Sequence, residues 1–314
     1  MSERRNGSAS LRAAWLYYNR GLTQQEVANS LGVSRSTVIR LLDEARSNGQ
    51  VKIWVTPGAG DLTELSLLLE ERFELETAIV VPSVGENAEL IAADVGAALG
   101  QWLSSAIRPS DVVGIGWGRS LHAALATFRP PRIEDATVIS LLGSPVRLRD
   151  FNPVDVGWAI ANQLGATCLT MPAPLVVDCE GTRQILLEKC ALDHVFGLAE
   201  MMNLAVVSCG EFGANSTSLS RRWVPDSDQA ELTAAGAVGD VLCQFIDLCG
   251  ETVNHQIHGR VMAVPLDTVA RAGRRVLASG GWCRVNVIRA AITRLSANVL
   301  VTDEGAARAL LDIN

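Results

Sequence analysis

The chain has 314 residues and a net charge of −7 at neutral pH, and 48% of its residues are hydrophobic. This apolar content suffices for a packed core and excludes an intrinsically disordered chain, while the length predicts one large domain or two. The charge is uneven, because residues 1–56 carry eight basic and four acidic side chains, a net +4 that leaves −11 for the rest, so only the N-terminal part is expected to meet nucleic-acid phosphates.

The first predicted helix spans Ser8–Tyr18, and Gly21 marks its end. Apolar side chains recur along it at helical spacing, so we expect their common face to pack inward. That face consists of Leu11, Ala14, Trp15 and Tyr18.

Two further helices joined by a tight turn are predicted between Thr23 and Asn48. Thr23 and Glu26 have the spacing of a capping box at the start of the first of these helices. Gly32 can adopt the positive φ that a sharp turn needs, and Ser34 can cap the second helix. Apolar residues recur every three or four positions in both. The segment therefore predicts a helix-turn-helix.

The exposed start of the second helix carries hydroxyls and arginines but no acid, which suits phosphates and base edges in the major groove of double-stranded operator DNA. The expected DNA contacts are Gln24, Ser34, Arg35, Ser36, Thr37 and Arg40. A turn and a β-rich run at 49–55 are typical of a small wing, so residues 1–56 are predicted to form a winged helix-turn-helix domain. The alternative is an ordinary helical hairpin.

A linker is predicted at 56–60, where Pro and Gly cluster, and Asp61 can cap a helix that runs to Phe73. Residues 57–76 therefore connect the N-terminal domain to the remainder. The apolar stripe of this helix has two possible partners, its own chain or the same helix of a second copy. A dimer would suit a protein that reads two half-sites. The stripe consists of Leu62, Leu65, Leu69 and Phe73.

In residues 77–314, short apolar runs alternate with helical segments. This alternation predicts an α/β domain with a mostly parallel sheet covered on both faces. The predicted strands are Ala78–Val81, Asp111–Ile115, Thr137–Leu141, Thr167–Thr170, Ala205–Ser208, Val261–Val264, Arg275–Ala278 and Val299–Val301. The predicted helices are Glu86–Ala106, Leu121–Thr127, Val154–Gln163, Gly181–Lys189, Asp226–Thr233, Arg284–Leu295 and Asp303–Leu311. Ligands of such sheets bind beyond the carboxyl ends of the strands.

One such strand end runs through a G-x-G-x-G turn into the helix that begins near Leu121. Backbone N–H groups there attract an anion, to which a hydroxyl and a guanidinium would add. The candidate ligand contacts are Gly116, Trp117, Gly118, Arg119 and Ser120. The alternative is a turn that needs small residues for packing. No dinucleotide fingerprint and no Walker lysine follows, so no cofactor is predicted.

Three other glycine-rich turns carry polar side chains. Gly143 and Ser144 follow the next strand, Asp240 follows a glycine pair, and Arg284 opens a helix after Ser279-Gly280-Gly281. Hydroxyls, a carboxylate and a cation beside flexible backbone suit a small polyhydroxylated phosphate, although each turn alone could be structural.

His255 and His258 lie close together, but no cysteine or carboxylate pattern completes a metal site, so none is predicted. The alternative is that they line the ligand pocket. The seven cysteines are scattered without a C-x-x-C motif, and no apolar run reaches the ~18 residues of a membrane span. A cytoplasmic protein without membrane contacts is expected.

With these motifs in order, the chain resembles the SorC-type bacterial transcription regulators, which are related to the DeoR-like sugar regulators. GLTQQEVANSLGVSRSTVIRLL resembles their DNA-binding domain, and VVGIGWGRSL, GAVGDV, ASGGWCR and VLVTDEGAA resemble the successive signatures of their effector domain. Within the family, the chain looks similar to the regulators of phosphorylated autoinducer-2 and of erythritol-type polyol use.

The resemblance implies a fold related to sugar-phosphate isomerases, a dimer or tetramer, and release from DNA when a phosphorylated sugar or polyol binds. By position it places Gly116, Gly118, Arg119 and Ser120 at the phosphate and Asp240 at the hydroxyls. Arg284 stands where relatives usually carry a lysine, and an arginine cannot form a Schiff base.

Noncovalent recognition of the effector is therefore expected. The alternative function is a sugar-phosphate isomerase fused to a DNA-binding domain. An isomerase would need an acid–base pair beside its ligand, and the expected pocket shows only Asp240 and arginines.

Overall fold

The computed structural model describes residues 3–51, 59–83, 85–145, 153–212 and 224–313. It divides into two compact units, residues 1–57 and residues 58–314. We call them the head and the body.

The described part of the head, residues 3–51, contains three α-helices, α1 (Glu3–Ala14), α2 (Gln24–Leu31) and α3 (Arg35–Ser47). Its core is small and is built from one face of each helix. The buried residues are Ala13, Ala14, Val27, Ala28, Val38, Leu41, Leu42 and Ala45. The last four recur along α3 at the predicted helical spacing, so for that helix the periodicity identified the buried face.

The predicted inward face of the first helix is wrong except at Ala14. Leu11, Trp15 and Tyr18 are 52%, 48% and 40% exposed, whereas Leu16 and Tyr17 pack against the core. The buried face is formed instead by Ser10, Ala13 and Ala14, so the helical period was right and the predicted face was displaced by one residue. A π-helical turn at Trp15–Asn19 continues α1.

The main sheet of the body has seven strands, all parallel, in the order β1-β10-β9-β5-β2-β3-β4. The bounds are β1 Thr77–Val81, β2 Val112–Ile115, β3 Thr137–Ser140, β4 Thr167–Leu169, β5 Leu204–Val207, β9 Arg274–Ala278 and β10 Val299–Asp303. Along β5, Leu204 and Val206 belong to the core on one face of the sheet, and Ala205 and Val207 belong to the core on the other. Both faces are therefore covered, as predicted.

Helices flank this sheet. They are α4 Ala59–Phe73, α5 Ala88–Ala106, α6 Arg119–Ala124, α7 Pro153–Leu164, α8 Glu180–Lys189, α9 Asp193–Ala199, α10 Asp226–Ala234, α11 Leu266–Ala270, α12 Val285–Leu295 and α13 Glu304–Asp312. In α4, Leu65 and Leu69 are 6% and 0% exposed within the core of the body. The stripe of the connecting helix thus packs on its own chain and is not left for a second copy.

A second, three-stranded antiparallel sheet was not predicted. It consists of β6 Cys209–Glu211, β7 Gly239–Val241 and β8 Gln244–Ile246. Its strands are only three residues long, too short for an alternation to show in the sequence. Conversely, the predicted strand Val261–Val264 is wrong, because this segment makes only isolated bridges, such as that between Leu142 and Ala263.

Candidate functional site

The start of α2 has the predicted capping box. The Glu26 amide donates to Thr23 Oγ1 at 3.3 Å, and the Thr23 amide donates to Glu26 Oε2 at 2.8 Å. The Thr23 amide and the Thr23 hydroxyl both donate to the Glu26 carboxylate and lower its pKa, since they favour its charged form. Helix α2 is therefore capped at its first turn by two residues three positions apart.

The turn between α2 and α3 is made as predicted. Gly32 has φ 66° and ψ 34°, a left-handed conformation, and its amide donates to the carbonyls of Ala28 and Asn29. Ser34 then caps α3, because its hydroxyl accepts from the Thr37 amide at 3.1 Å.

The polar start of α3 is exposed. Ser34, Arg35, Ser36 and Arg40 are all open to solvent, and Thr37 is half-buried. The Arg35 guanidinium donates through Nε to Gln24 Oε1 at 3.2 Å. Gln24 therefore orients an arginine on the surface that a recognition helix turns to DNA.

Ile39 was not among the DNA contacts predicted from the sequence. It is 41% exposed and lies in α3 between these polar residues. An exposed isoleucine there can contact a thymine methyl group in the major groove. Ile39 could have been predicted as a contact, because it is an apolar residue that falls outside the apolar stripe of α3. The predicted wing lies, from Lys52 onward, outside the described residues.

The body has a pocket at the carboxyl ends of β2, β5 and β9. From β2 the chain moves outward through β3 and β4, and from β5 it moves the opposite way through β9 and β10. The neighbours β2 and β5 therefore mark a topological switch point, where the loops separate and leave a crevice.

The pocket is half open and holds about 470 Å³ of empty space, including the part continuous with solvent. Four turns or strands contribute side chains to it, and two arginines and two carboxylates are among them. The lining residues are Ala92, Trp117, Gly118, Arg119, Ser120, Ser208, Cys209, Gly210, Glu211, Asp240 and Arg284.

Arg284 is the most enclosed cation of the pocket, at 7% exposure. Its Nε donates to Glu211 Oε2 at 2.5 Å, and its Nη1 donates to the Gly280 carbonyl at 3.0 Å. The side chains of Arg284 and Glu211 are 8% and 15% exposed, so this is a largely buried ion pair. A charge in such a place needs its partner, because desolvation of either ion alone is costly.

Asp240 is 3% exposed and lies in β7. Its Oδ2 accepts from the Cys243 amide at 3.0 Å, across a turn in which Leu242 and Cys243 both have positive φ. Such a conformation is strained for residues other than glycine. Asp240 therefore stabilises a strained turn as well as lining the pocket.

Near Arg119, the second arginine of the pocket, the backbone comes close to the end of β5. Gly118 has φ 151°, and a Cβ there would lie 2.8 Å from Ser208 Cβ. The helix that follows has only six residues, so its dipole attracts an anion only weakly. The polar groups at this end are the Arg119 guanidinium and the hydroxyls of Ser120 and Ser208.

Three of the predicted ligand contacts do not line the pocket. Gly116 is a packing position, where a Cβ would lie 2.9 Å from Leu242 Cδ2. Gly143 and Ser144 follow β3, one strand beyond the switch point. Their amides donate to the carbonyls of Met262 and Ala173, so this strand end is covered by the chain itself.

Glu211, Ser208 and Cys209 were missed, although the strand that precedes them was predicted. Ligands bind beyond the carboxyl ends of parallel strands, and Ser208-Cys209-Gly210-Glu211 directly follows a predicted strand. These residues could therefore have been predicted. Burial raises the pKa of the Cys209 thiol to about 12, so this group stays protonated near neutral pH.

The two histidines lie elsewhere. His255 Nδ1 accepts from the Ile257 amide, so its Nε2 carries the proton and donates to Glu231 Oε2 at 3.0 Å. His258 Nε2 accepts from the Phe245 amide at 3.0 Å, and burial lowers its pKa to about 4. Neither lines the pocket. Within the described ranges, no group of three metal-ligating side chains occurs, and no helix there is long and apolar enough to cross a bilayer.

Comparison with known proteins accounts for nearly the whole chain. Residues 59–312 match the Sugar-bind family model of a sugar-binding domain, and residues 15–48 match the model of sigma-70 region 4. The erythritol catabolism regulatory protein EryD of Brucella abortus is 31% identical over 97% of this chain and 96% of its own. The deoxyribonucleoside regulator of Bacillus subtilis is 28% identical over 99% of both.

The fold is also that of a solved regulator. The full-length sorbitol operon regulator SorC of Klebsiella pneumoniae has a TM-score of 0.73 at 21% identity, over 98% of this chain and 100% of its own. The relatives are transcription regulators, so the isomerase alternative is set aside. This chain belongs to the Sugar-bind family and is a transcription regulator in which a helix-turn-helix precedes a sugar-binding domain.

Proposed function

We propose that this regulator is a repressor of a carbohydrate or polyol catabolic operon, and that a small phosphorylated sugar or polyol in the pocket controls its affinity for operator DNA. The pocket combines two guanidinium groups, of Arg119 and Arg284, with two carboxylates, of Glu211 and Asp240. Guanidinium groups suit phosphate, and carboxylates accept hydrogen bonds from hydroxyls. The name of the Brucella relative, a regulator of erythritol catabolism, supports a polyol.

Binding is noncovalent in this proposal. The chain has only two lysines, Lys52 and Lys189. Lys189 is exposed at the end of α8 and does not line the pocket. The thiol of Cys209 is protonated and is therefore a poor nucleophile. Borohydride treatment of protein mixed with aldose phosphates is expected to leave the mass of the chain unchanged.

The proposed DNA contacts are the exposed Ser34, Arg35, Ser36 and Arg40 and the half-buried Gln24 and Thr37, with Ile39 added from the structure. Because helix-turn-helix proteins usually read two half-sites, we propose a homodimer or tetramer in the cytoplasm. Leu67 and Leu68, 60% and 43% exposed on α4, are a candidate surface for a second copy. Light scattering would measure the mass.

The effector is proposed to act by linkage. It would bind one quaternary arrangement better than another, and only one of these would set the two heads at operator spacing. By reciprocity, the factor by which the effector changes operator affinity then equals the factor by which the operator changes effector affinity.

A thermal-shift screen against free and phosphorylated sugars and polyols tests the proposal. A compound that binds only the folded protein stabilises it by about 2.7 kcal/mol at 100 times its Kd. A shift selective for one phosphorylated compound, lost in Arg119→Ala and kept in Arg132→Ala, is expected. Arg132 is the matched control, because it pairs with Glu134 on the surface and does not line the pocket. A shift with free polyols alone would contradict the phosphate assignment.

Operator binding supplies the second test. Arg35→Ala is expected to lose operator binding and to keep the thermal shift. Arg119→Ala is expected to keep operator binding and to lose the response to the compound. If both variants lost both properties, the separation of a DNA-binding head from an effector-binding body would be refuted.

A further inference from the structure

The exposed surface at the start of α3 consists of two short rows of side chains. Arg35 and Ile39 form one row, because side chains four positions apart lie on the same face of a helix. Ser36 and Arg40 form the other row by the same spacing. All four residues are exposed, and they occupy the N-terminal turns with which a recognition helix contacts base edges in the major groove. The base preference of α3 therefore depends on these two rows.

The two arginines of this surface are held by different partners. Arg40 Nη1 lies 3.6 Å from Glu44 Oε2, so a carboxylate offsets part of its charge. Arg35 Nε instead donates to the neutral Gln24 Oε1 at 3.2 Å. A guanidinium fixed through Nε can still donate from both Nη groups, and a fixed orientation is what a bidentate contact with guanine O6 and N7 requires. A phosphate contact does not require it, because a lysine binds phosphate as a point charge.

Ile39 supplies the apolar group beside Arg35. Within α3, all of whose residues the structure describes, it is the one large apolar side chain exposed to solvent. Because isoleucine is β-branched, its side chain has one strongly preferred χ1 rotamer in a helix, so its methyl groups are held in place before DNA binds. The apolar group that a base presents in the major groove is the C5 methyl of thymine.

We infer that the row of Arg35 and Ile39 reads two neighbouring bases, a guanine through the Arg35 guanidinium and a thymine through contact of its methyl group with Ile39. Four residues of helix span about 6 Å, which corresponds to about two steps of 3.4 Å along DNA. Each half-site of the operator therefore contains a guanine and a thymine within about two base pairs of each other. This inference rests on the proposed function and adds to it the bases that two of the proposed contacts select.

The test begins with operator sequences selected by the full-length protein from random duplex DNA. Each thymine of the selected operator is replaced in turn by deoxyuridine, which removes only the methyl group. At one position of each half-site, the replacement is expected to weaken binding by the unchanged protein about fourfold, the worth of one buried methyl group. In Ile39→Ala, the same replacement should have no effect. Leu11→Ala is the matched control, because it shortens an apolar side chain that is 52% exposed on α1, and it should keep the sensitivity of the unchanged protein.

The guanine is tested with 7-deazaguanine, which lacks the N7 acceptor. Placed within two base pairs of the sensitive thymine, it is expected to weaken binding by the unchanged protein about tenfold. It should not weaken binding by Arg35→Ala, which is measured at low salt, where all affinities for DNA are higher. If Arg35 bound a phosphate, Arg35→Ala would weaken every sequence equally and reduce the salt slope by about 1, and the guanine assignment would be overturned.

Loss of the deoxyuridine effect in Ile39→Ala, with a sensitive guanine within two base pairs, supports the inference. Circular dichroism establishes that each variant is folded. An operator in which no deoxyuridine weakens binding by the unchanged protein would overturn the inference, and so would Ile39→Ala that stays sensitive at the same position. In both cases the proposed operator binding would stand. If no sequence were enriched by the selection, the proposed function and the inference would both fail.

Discussion

Asp303→Asn is a substitution whose cost follows directly from the contacts of one buried carboxylate. Asp303 ends β10 and is 2% exposed. Its Oδ1 accepts from the Gly281 amide at 2.6 Å, and its Oδ2 accepts from Ser83 Oγ at 2.9 Å and from the Gly305 amide at 3.0 Å. The carboxylate thus joins the start of α13 to the turn whose Gly280 carbonyl accepts from Arg284.

Asparagine retains one acceptor oxygen and replaces the other with an amide NH₂. In either orientation, that NH₂ faces a backbone N–H that donated to the carboxylate. The Ser83 hydroxyl can partly compensate, because it also accepts from the Gly305 amide at 2.8 Å. With hydrogen bonds to a charged group contributing about 1.5–3 kcal/mol each, a net loss of about 2–4 kcal/mol in the free energy of unfolding is expected.

Urea unfolding followed by circular dichroism measures this loss. Thr302→Val is the matched control, because Thr302 precedes Asp303, is 0% exposed, and its Oγ1 has no hydrogen-bond partner among the described residues. Removing that hydroxyl is expected to leave stability unchanged or to raise it by about 1 kcal/mol. A free energy of unfolding for Asp303→Asn within about 1 kcal/mol of the unchanged protein would refute the reasoning.

Three smaller effects follow from single contacts. Gly32→Ala forces alanine to φ 66° in otherwise open space, so backbone strain alone should destabilise the head by about 1–2 kcal/mol, measured by amide hydrogen exchange. Gln24→Ala removes the acceptor that orients the Arg35 guanidinium. Fluorescence anisotropy should show operator binding weakened about threefold with an unchanged salt dependence. A changed salt slope would contradict the role of Gln24 in orienting Arg35. Burial lowers the pKa of His258 from 6.5 to about 4, so its contribution to stability is complete above pH 6.5 and is lost as the pH falls toward 4. The loss should be on the order of 2 kcal/mol, and His258→Gln should remove this part of the pH dependence of unfolding.

The head shows how far local sequence patterns reach. The capping box at Thr23 and Glu26, the left-handed Gly32 and the cap at Ser34 all involve residues within four positions of one another. Such contacts depend only on the backbone conformation they themselves favour, so spacing predicts them. The pattern failed in the first helix, where the small Ser10 and Ala13 are buried and the larger, apolar Leu11 is exposed.

The body shows the opposite case. Alternating strands and helices predicted a parallel sheet, and all seven strands of the main sheet are parallel. Which residues line the pocket depended, however, on the order of the strands in the sheet. No local sequence pattern encodes that order. Gly143 and Ser144 were excluded from the pocket because β3 lies beyond the switch point, and Glu211 was included because β5 lies at it.

The sequence by itself therefore determined the architecture, a helix-turn-helix followed by a parallel α/β domain, because helix caps and hydrophobic periodicity act between near neighbours in the chain. Only the tertiary structure decided the chemistry of the pocket. It brings Glu211 to within 2.5 Å of Arg284, a residue 73 positions away along the chain. That ion pair is largely buried, and a buried ion pair exists only when both groups are folded into the same low-dielectric space.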